Sequence, residues 1–269
     1  MVRGRKRAKG AEPLVMVTAY DAPSARVADA AGVDLILVGD SVANTVLGYP
    51  DTLQVDVADL AHHVAAVTRA GPRALVVADL PWPSYHQGRR TAVRAAARLV
   101  RAGAKAVKLE GGALRVPVVE ALVDAEVPVM GHLGLTPQSV LPMGGYRVQG
   151  RGAEARERLV ADALALEAAG VFAVVLEGIP PAAGRAVTEA LEVPTIGIGA
   201  GPDCDGQVLV FHDLVGLNPG PVPRFARRYA DLLGQATEAV AAFAADVREG
   251  RFPGPEETYP EDAPGGSPA

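Results

Sequence analysis

Short apolar runs, each followed by an acidic residue, recur along this sequence. The runs span residues 35–38, 75–78, 106–109 and 173–176, and the acids that follow them are Asp40, Asp79, Glu110 and Glu177. Runs this short and rich in Val predict fully buried strands of a parallel sheet that is covered on both faces. Each acid then lies at the carboxyl end of its strand. Four acids gathered at one edge of a sheet repel one another unless a cation or a proton offsets their charge.

Segments with helical periodicity separate these strands. The sequence predicts helices over about 23–31, 57–69, 87–102, 113–125, 154–169, 181–191, 223–233 and 235–248, and further strands at 15–18, 127–131, 194–198 and 208–211. Ala-Gly joints at 31–32, 102–103 and 169–170 form an internal repeat that connects helix to strand. Eight strand–helix alternations predict a (β/α)8 TIM barrel, an α/β fold with extra C-terminal helices. An open doubly wound sheet is the competing fold, and the lack of G-x-G-x-x-G after the first strand disfavours it.

A barrel of this kind would bring the carboxyl ends of all its strands to one face, where barrel active sites lie. The polar and glycine positions predicted at this face are Asp40, Asp79, Glu110, His132, Glu177, Gly199 and His212. Residues 133–152 show neither helical nor strand periodicity, and so long a loop in a compact domain is typical of a functional segment.

Composition narrows the class of protein. A chain of 269 residues with 49% hydrophobic residues can form one barrel domain, predicted over 13–249. A net charge of −5 argues against a nucleic-acid partner, and no apolar run approaches the roughly 20 residues that span a bilayer. The basic arm 1–12 lacks a following apolar signal region, and the single cysteine, Cys204, fits a reducing compartment. We therefore expect a cytoplasmic protein with a tail, 250–269, that lacks regular structure.

Three of the acids are candidate metal ligands. Asp40, Asp79 and Glu110 offer the hard oxygen donors that Mg²⁺ prefers, whereas capping of the next helix or pairing with arginine is the structural alternative. Lys108 lies two residues from Glu110 on one strand, so both side chains should point the same way. Lys108 is thus a candidate to neutralise a substrate carboxylate, with a Schiff-base nucleophile or a simple ion pair with Glu110 as alternatives.

The remaining polar positions have separate candidate roles. Glu177 lies across the predicted barrel from the other acids and is a candidate general base, with a salt bridge as the alternative. His132 is a candidate hydrogen-bond donor to substrate or a core histidine, and His212 is a weaker case of the same kind. Ser41 is a candidate donor to a substrate carboxylate. Residues 199–201 form a tight turn or, by position, a phosphate loop.

Longer motifs connect these positions to a known family. In order they are 18–21 (TAYD), 38–41 (VGDS), 78–81 (ADLP), 107–112 (VKLEGG), 131–138 (GHLGLTPQ), 144–151 (GGYRVQGR) and 197–201 (GIGAG). Over about residues 14–253 the sequence resembles the ketopantoate hydroxymethyltransferase (3-methyl-2-oxobutanoate hydroxymethyltransferase) family. Trp82 and Thr258 depart from the residues that are common in the family.

The resemblance implies a barrel of the phosphoenolpyruvate/pyruvate type and a homo-oligomer, usually a decamer. It implies one Mg²⁺ per subunit at Asp40 and Asp79 with Glu110 beside it, substrate contacts from Asp40, Ser41, Asp79 and Lys108, and a catalytic base at Glu177. The implied reaction transfers a hydroxymethyl group from 5,10-methylenetetrahydrofolate to 3-methyl-2-oxobutanoate, through a Mg-stabilised enolate, in pantothenate biosynthesis.

Three alternatives to this reaction stay open from the sequence. They are a metal-dependent 2-oxo acid lyase or mutase on the same barrel, a Schiff-base aldolase that uses Lys108, and a barrel that binds without catalysis. No residue is assigned to the folate, although Arg147 and Arg151 are candidates for its glutamate because arginine binds carboxylates with two parallel hydrogen bonds.

Overall fold

Eight parallel strands close into a barrel in the computed structural model, which describes Val2, Lys6 and residues 12–259. The strands are β1 (Leu14–Thr18), β2 (Leu35–Val38), β3 (Leu75–Asp79), β4 (Ala106–Glu110), β5 (Val129–Gly134), β6 (Ala173–Glu177), β7 (Thr195–Ile198) and β8 (Gly206–Leu209). They follow one another around the barrel in chain order, and β8 pairs with β1 to close it. The predicted TIM barrel is therefore confirmed.

Helices surround the barrel and continue beyond it. They are α1 (Ala22–Ala30), α2 (Val42–Thr45), α3 (Val57–Arg69), α4 (Arg89–Arg101), α5 (Val116–Asp124), α6 (Val140–Met143), α7 (Ala153–Ala168), α8 (Pro181–Ala190), α9 (Phe211–Val215) and α10 (Leu232–Arg248). Short 3-10 turns occur at Thr52–Gln54, Ala113–Arg115, Pro137–Ser139 and Pro255–Glu257. None of the described helices combines the length and hydropathy needed to cross a membrane.

Side chains alternate between the barrel interior and the helical layer along each strand, as a period of two requires. The interior cluster contains Leu14, Met16, Leu35, Leu37, Val77, Ala106, Met130, Ala173, Val175, Ile196, Ile198 and Val208. On β4 the same interior register that begins with Ala106 continues to Lys108 and Glu110. The prediction that these two side chains share one direction is confirmed, because both line the cavity at the mouth.

The strand register sets polar side chains at matching heights. Asp79 of β3 is the partner of Lys108 on β4, and Glu110 of β4 is the partner of His132 on β5. The barrel interior thus changes from apolar at the amino-terminal end of the strands to charged at their carboxyl ends.

Two details of the predicted fold are wrong. β8 ends at Leu209, because Phe211 begins α9 and the apolar run 208–211 spans both elements. The predicted helix over 223–233 is also wrong, since Pro221 and Pro223 restrict the backbone and remove N–H donors, and the only helical residues in that range are Leu232 and Leu233, which begin α10.

The termini are described in part. Lys6 lies at the amino-terminal end of the barrel, where its Nζ is 3.1 Å from Asp205 Oδ2, and Val2 packs against the interior cluster. The other residues of the predicted arm up to Ala11, and 260–269 of the predicted tail, lie outside the described residues.

Candidate active site

A cavity of about 380 Å³ opens at the carboxyl ends of the strands. Charged and polar residues that line it include Asp40, Ser41, Asp79, Lys108, Glu110, His132 and Glu177. Apolar residues that line it include Leu37, Leu135, Val175, Ile198, Val208, Val210 and Phe225. All seven candidate substrate, metal and catalytic residues predicted from the sequence therefore share one cavity.

Asp40 and Asp79 are held together by a backbone contact. The Asp40 N–H donates to Asp79 Oδ2 over 3.0 Å, and both residues are buried. Gly39 makes this approach possible, because a Cβ there would lie 3.1 Å from Ser41 Oγ and 3.2 Å from Asp79 Oδ2. Burial and then the charges of Asp79 and Glu110 raise the pKa of Asp40 well above its ordinary range.

Lys108 lies among these carboxylates. Its Nζ is 2.9 Å from Asp79 Oδ1, and the side chain is buried. Burial alone would lower the pKa of Lys108, but the charges of Asp79, Glu110 and Asp40 outweigh burial and raise that pKa above its ordinary value. The ammonium group is therefore a fixed positive charge that faces the cavity.

His132 connects the acidic side of the mouth to Glu177. Its Nδ1 lies 3.5 Å from Glu110 Oε1 and 3.2 Å from Lys108 Nζ, and its Nε2 lies 3.3 Å from Glu177 Oε2. Burial and the Lys108 charge act to lower the pKa of His132, but the Glu110 and Glu177 carboxylates prevail and raise it to about 9. His132 is a second buried cation, and it holds Glu177 from one side.

Glu177 is more accessible than the other acids. Its side chain is 16% exposed, against 2% for that of Glu110 and 3% for that of Asp79. Its position depends on the end of β5, where Gly134 has a φ of +95° and a Cβ would meet the Glu177 carbonyl oxygen at 2.2 Å. Only glycine fits such a backbone, so the main chain of Glu177 lies directly against the end of β5.

Ser41 is oriented by Tyr20, a residue without a predicted role. Tyr20 Oη lies 2.7 Å from Ser41 Oγ, and burial raises the pKa of Tyr20 to about 12. The phenol therefore stays protonated at neutral pH and fixes the position of the serine hydroxyl at the cavity edge.

Other predicted positions lie away from the charged cluster. The cavity lining does not include Arg147, Arg151, His212 or residues 199–201, although the same 133–152 loop contributes Leu135, Pro137 and Tyr146. Burial lowers the pKa of His212, whose ring lies beside that of Tyr20 at 5.5 Å. These positions therefore support the walls of the site or lie outside it.

Gln138 and Tyr85 are further polar residues at the site without a predicted role. Both are buried, and Gln138 donates hydrogen bonds to Asp40 and Glu110. Gln138 lies in one of the quoted motifs, but an amide in a loop without periodicity gives no sequence signal for such a contact.

The donor set suits a hard cation with few protein ligands. Asp79 Oδ1 and Glu110 Oε1 are buried and accept no well-aligned hydrogen bond among the described residues, although each faces a basic side chain, Lys108 and His132 respectively. In the part of the chain that the structure describes, no three His, Cys, Asp or Glu side chains are grouped to hold a metal by themselves. Mg²⁺ commonly binds one or two carboxylates and keeps water or substrate oxygens as its other ligands. The residues present fit such an ion.

Comparison with protein families and sequences gives a consistent result. Residues 2–255 match the model of a family described as ketopantoate hydroxymethyltransferase. A 3-methyl-2-oxobutanoate hydroxymethyltransferase from Pyrobaculum calidifontis is 57% identical over 259 residues, which cover 96% of this chain and 97% of that protein. One from a Methylobacterium species is 59% identical over 253 residues, covering 94% and 88% respectively.

Solved structures share the fold at low sequence identity. A 2,3-dimethylmalate lyase of the PEP mutase/isocitrate lyase superfamily is 20% identical with a TM-score of 0.59, covering 96% of this chain and 90% of that one. A phosphoenolpyruvate phosphomutase from Streptomyces platensis subsp. rosaceus is 17% identical with a TM-score of 0.60, covering 92% and 86%. These likenesses concern the barrel fold alone.

Proposed function

The chain belongs to the ketopantoate hydroxymethyltransferase family, and from this premise we propose that it transfers a hydroxymethyl group to 3-methyl-2-oxobutanoate. The proposed donor is 5,10-methylenetetrahydrofolate, and with one water the products are 2-dehydropantoate and tetrahydrofolate. The names of the relatives support 3-methyl-2-oxobutanoate as the acceptor of the hydroxymethyl group. The donor, the Mg²⁺ ion and the place of the reaction in pantothenate biosynthesis extend the proposal beyond those names.

One observation carries this proposal: a buried charged cluster faces an apolar wall across a small cavity. Lys108 and two buried carboxylates, Asp79 and Glu110, lie on one side. Val175 and Ile198 line the cavity on the other. A branched 2-oxo acid has a charged, chelating end and an apolar end, so it matches this division in a single orientation.

Asp40 and Asp79 would hold the Mg²⁺ ion, with Glu110 beside them. When bound, Mg²⁺ supplies Lewis acidity that polarises the 2-oxo group and acidifies the neighbouring C–H bond. Lys108 would offset the charge of the substrate carboxylate, and Ser41, held by Tyr20, would donate a hydrogen bond to it.

Glu177 would act as the general base. Its carboxylate takes the proton from C3 of the substrate, and the C–H electron pair forms the new bond to the one-carbon unit of the donor. Both C–N bonds of that unit break with their electron pairs to nitrogen, the one water supplies the hydroxyl oxygen and the two protons that the nitrogens take up, and the C3 proton ends on the new hydroxyl. His132 lies 3.3 Å from Glu177 Oε2 and would keep that oxygen directed toward the cavity. Glu177 is the least buried acid of the cluster. This exposure suits a general base, because a base must exchange its proton with solvent after each reaction.

Lys108 is poorly suited to Schiff-base chemistry. A lysine nucleophile must be neutral, and enzymes achieve this by lowering its pKa. The surrounding carboxylates instead raise the pKa of Lys108. We therefore expect no covalent adduct at Lys108 when borohydride is added together with the 2-oxo acid.

Proton exchange without folate tests the proposed chemistry directly. The protein is incubated with 3-methyl-2-oxobutanoate, Mg²⁺ and D₂O, and the C3 proton is followed by NMR. Exchange should disappear with a chelator and fall by about 10²–10⁴-fold in Glu177→Gln. Undiminished exchange in Glu177→Gln would sink the assignment of the base. Product formation is then measured with and without the folate. A transferase forms product only when the folate is present, whereas a lyase or mutase does not need it.

We also propose a homo-oligomer, with a decamer as the expected size. No side chain of α10 is buried within the described part of the chain. Leu233, Val240, Phe243 and Val247 are exposed on this helix at intervals of seven, three and four, which is the spacing of a helix-packing seam. The same seam on a second copy is self-complementary. Native mass spectrometry should detect the oligomer, and Phe243→Asp should yield smaller species; an unchanged mass would remove α10 from the interface.

A further inference from the structure

Gln138 contacts two of the three buried carboxylates at once. Its side-chain Nε2 donates to Asp40 Oδ2 over 2.8 Å, and its backbone N–H donates to Glu110 Oε2 over 3.0 Å. The residue lies in the 3-10 turn Pro137–Ser139 and is 5% exposed. A loop residue thus reaches from β5 across the mouth to the ends of β2 and β4.

The direction of each hydrogen bond around Gln138 is determined by the network. The Glu110 N–H donates to Tyr85 Oη over 3.3 Å, so the Tyr85 hydroxyl is free to donate its own hydrogen to Gln138 Oε1 over 2.7 Å. The amide Nε2 must then face the other way, where it donates to Asp40 Oδ2 and, over 3.0 Å, to the Leu80 carbonyl oxygen. Both amide hydrogens are used.

The same pattern selects one oxygen of each acid. Asp40 Oδ2 and Glu110 Oε2 accept from Gln138, and Asp79 Oδ2 accepts from the Asp40 N–H. The opposite oxygens of Asp79 and Glu110 accept no well-aligned hydrogen bond among the described residues, and each has only the side chain of Lys108 or His132 nearby as an ion-pair partner. N–H donors therefore fix the orientation of three carboxylates and leave lone pairs for another ligand.

We propose that Gln138, oriented by Tyr85, is a positioning residue that prepares the carboxylates of Asp40 and Glu110 to receive the divalent cation. The inference rests on the proposed function, because it assigns the cation to these acids. Partners of this kind orient metal ligands, and their loss commonly costs about 10–100-fold in metal affinity. Gln138 also keeps Asp40 an acceptor, since it presents only N–H groups to that carboxylate.

Packing alone is the competing explanation for a buried glutamine. Gln138→Met separates the two, because methionine has a similar length and volume but no amide, and the backbone N–H to Glu110 remains. Packing predicts an affinity for Mg²⁺ near that of the unsubstituted protein. The positioning role predicts a dissociation constant about 10–100-fold higher, measured by calorimetric titration of Mg²⁺ without substrate. Gln87→Met, the same change at an exposed loop position, is the matched control.

Tyr85→Phe provides a second, independent variant that keeps the aromatic packing. It removes the hydroxyl that orients the amide, so the Mg²⁺ affinity should fall, but by less than in Gln138→Met. In the double variant the two losses should be less than additive, because Tyr85 acts through Gln138. Tyr229→Phe, at an exposed tyrosine, is the control.

The catalytic readout separates positioning from general damage. In Gln138→Met, a higher Mg²⁺ concentration should restore kcat to near its original value, whereas a collapsed site would stay inactive. Thermal denaturation reports whether each variant folds. If Gln138→Met does not fold, the Mg²⁺ affinity of Tyr85→Phe tests the inference instead. If Gln138→Met folds and binds Mg²⁺ as tightly as the unsubstituted protein, the inference is overturned and the proposed function stays intact. If only Tyr85→Phe folds, the same result in that variant has the same meaning. No Mg²⁺ binding by the unsubstituted protein overturns both.

Discussion

The two halves of the barrel mouth differ in the chemistry of their side chains and in the contacts that hold those side chains in place. The half built by β2–β5 carries five buried residues that successive polar contacts join in the order Asp40, Asp79, Lys108, His132 and Glu110. The half built by β6–β8 presents Val175, Ile198 and Val208, with Glu177 at the boundary. Ion pairs and hydrogen bonds hold the side chains of the first half in place, whereas the second half offers an apolar surface. A ligand with one charged and one apolar end is therefore oriented before any chemistry begins.

This difference also predicts where the molecule is vulnerable. Removal of one member of a buried ion pair leaves an uncompensated charge, whereas truncation of an apolar wall leaves only a small space. We expect large effects on stability in the polar half and effects on selectivity in the apolar half.

The largest effect should follow Lys108→Met. The change removes the ammonium group that lies 2.9 Å from Asp79 Oδ1, so the negative charge of the buried carboxylates is no longer offset. The free energy of unfolding should fall by about 3–5 kcal/mol in denaturant titrations with chelator present. The double variant Asp79→Asn/Lys108→Met should lose less than Lys108→Met alone. A loss in the double variant equal to the sum of the Asp79→Asn and Lys108→Met losses would show that Asp79 and Lys108 are not coupled.

A pH-dependent effect of intermediate size should follow His132→Asn. The folded protein raises the pKa of His132 from 6.5 to about 9, so the protonated histidine stabilises the fold fully below pH 6.5. This contribution is lost as the pH rises through about 9. In metal-free protein, the difference in unfolding free energy between the original chain and His132→Asn should shrink by about 3 kcal/mol over that interval. A difference that does not vary with pH would mean that His132 is not a buried cation.

The smallest effect should follow Ile198→Ala in the apolar half. The change removes three carbon atoms from the cavity wall without touching a charge. The kcat/KM for 3-methyl-2-oxobutanoate should fall about tenfold, while larger branched 2-oxo acids should lose less. Val27→Ala, a truncation by two carbon atoms at an exposed position of α1, is the control and should leave kcat/KM unchanged. An equal loss for all 2-oxo acids would argue against a wall that selects by shape.

Much of the polar half could be predicted from the sequence because its signal is local. Asp79, Lys108 and Glu110 lie on short apolar strands, and the period of two fixes which side they face once the strands are known. The parallel barrel then brings successive strand ends together. Their roles toward metal and substrate stay predictions that the experiments above test.

The rest depended on contacts that leave no local pattern. Gln138 and Tyr85 meet Glu110 from two different loops, and neither loop has periodicity that places it. The apolar run 208–211 fits a strand and the start of a helix equally well, so the sequence alone does not locate the end of β8.

Gly134 has a consequence for how this site could change over evolutionary time. A side chain there would collide with the Glu177 backbone, so the junction between β5 and its loop is closed to substitution. The main chain thereby links Glu177 to the loop that holds Gln138. Val175 and Ile198 line the cavity but do not form this junction, so substitutions there can change the shape of the cavity while the junction stays intact.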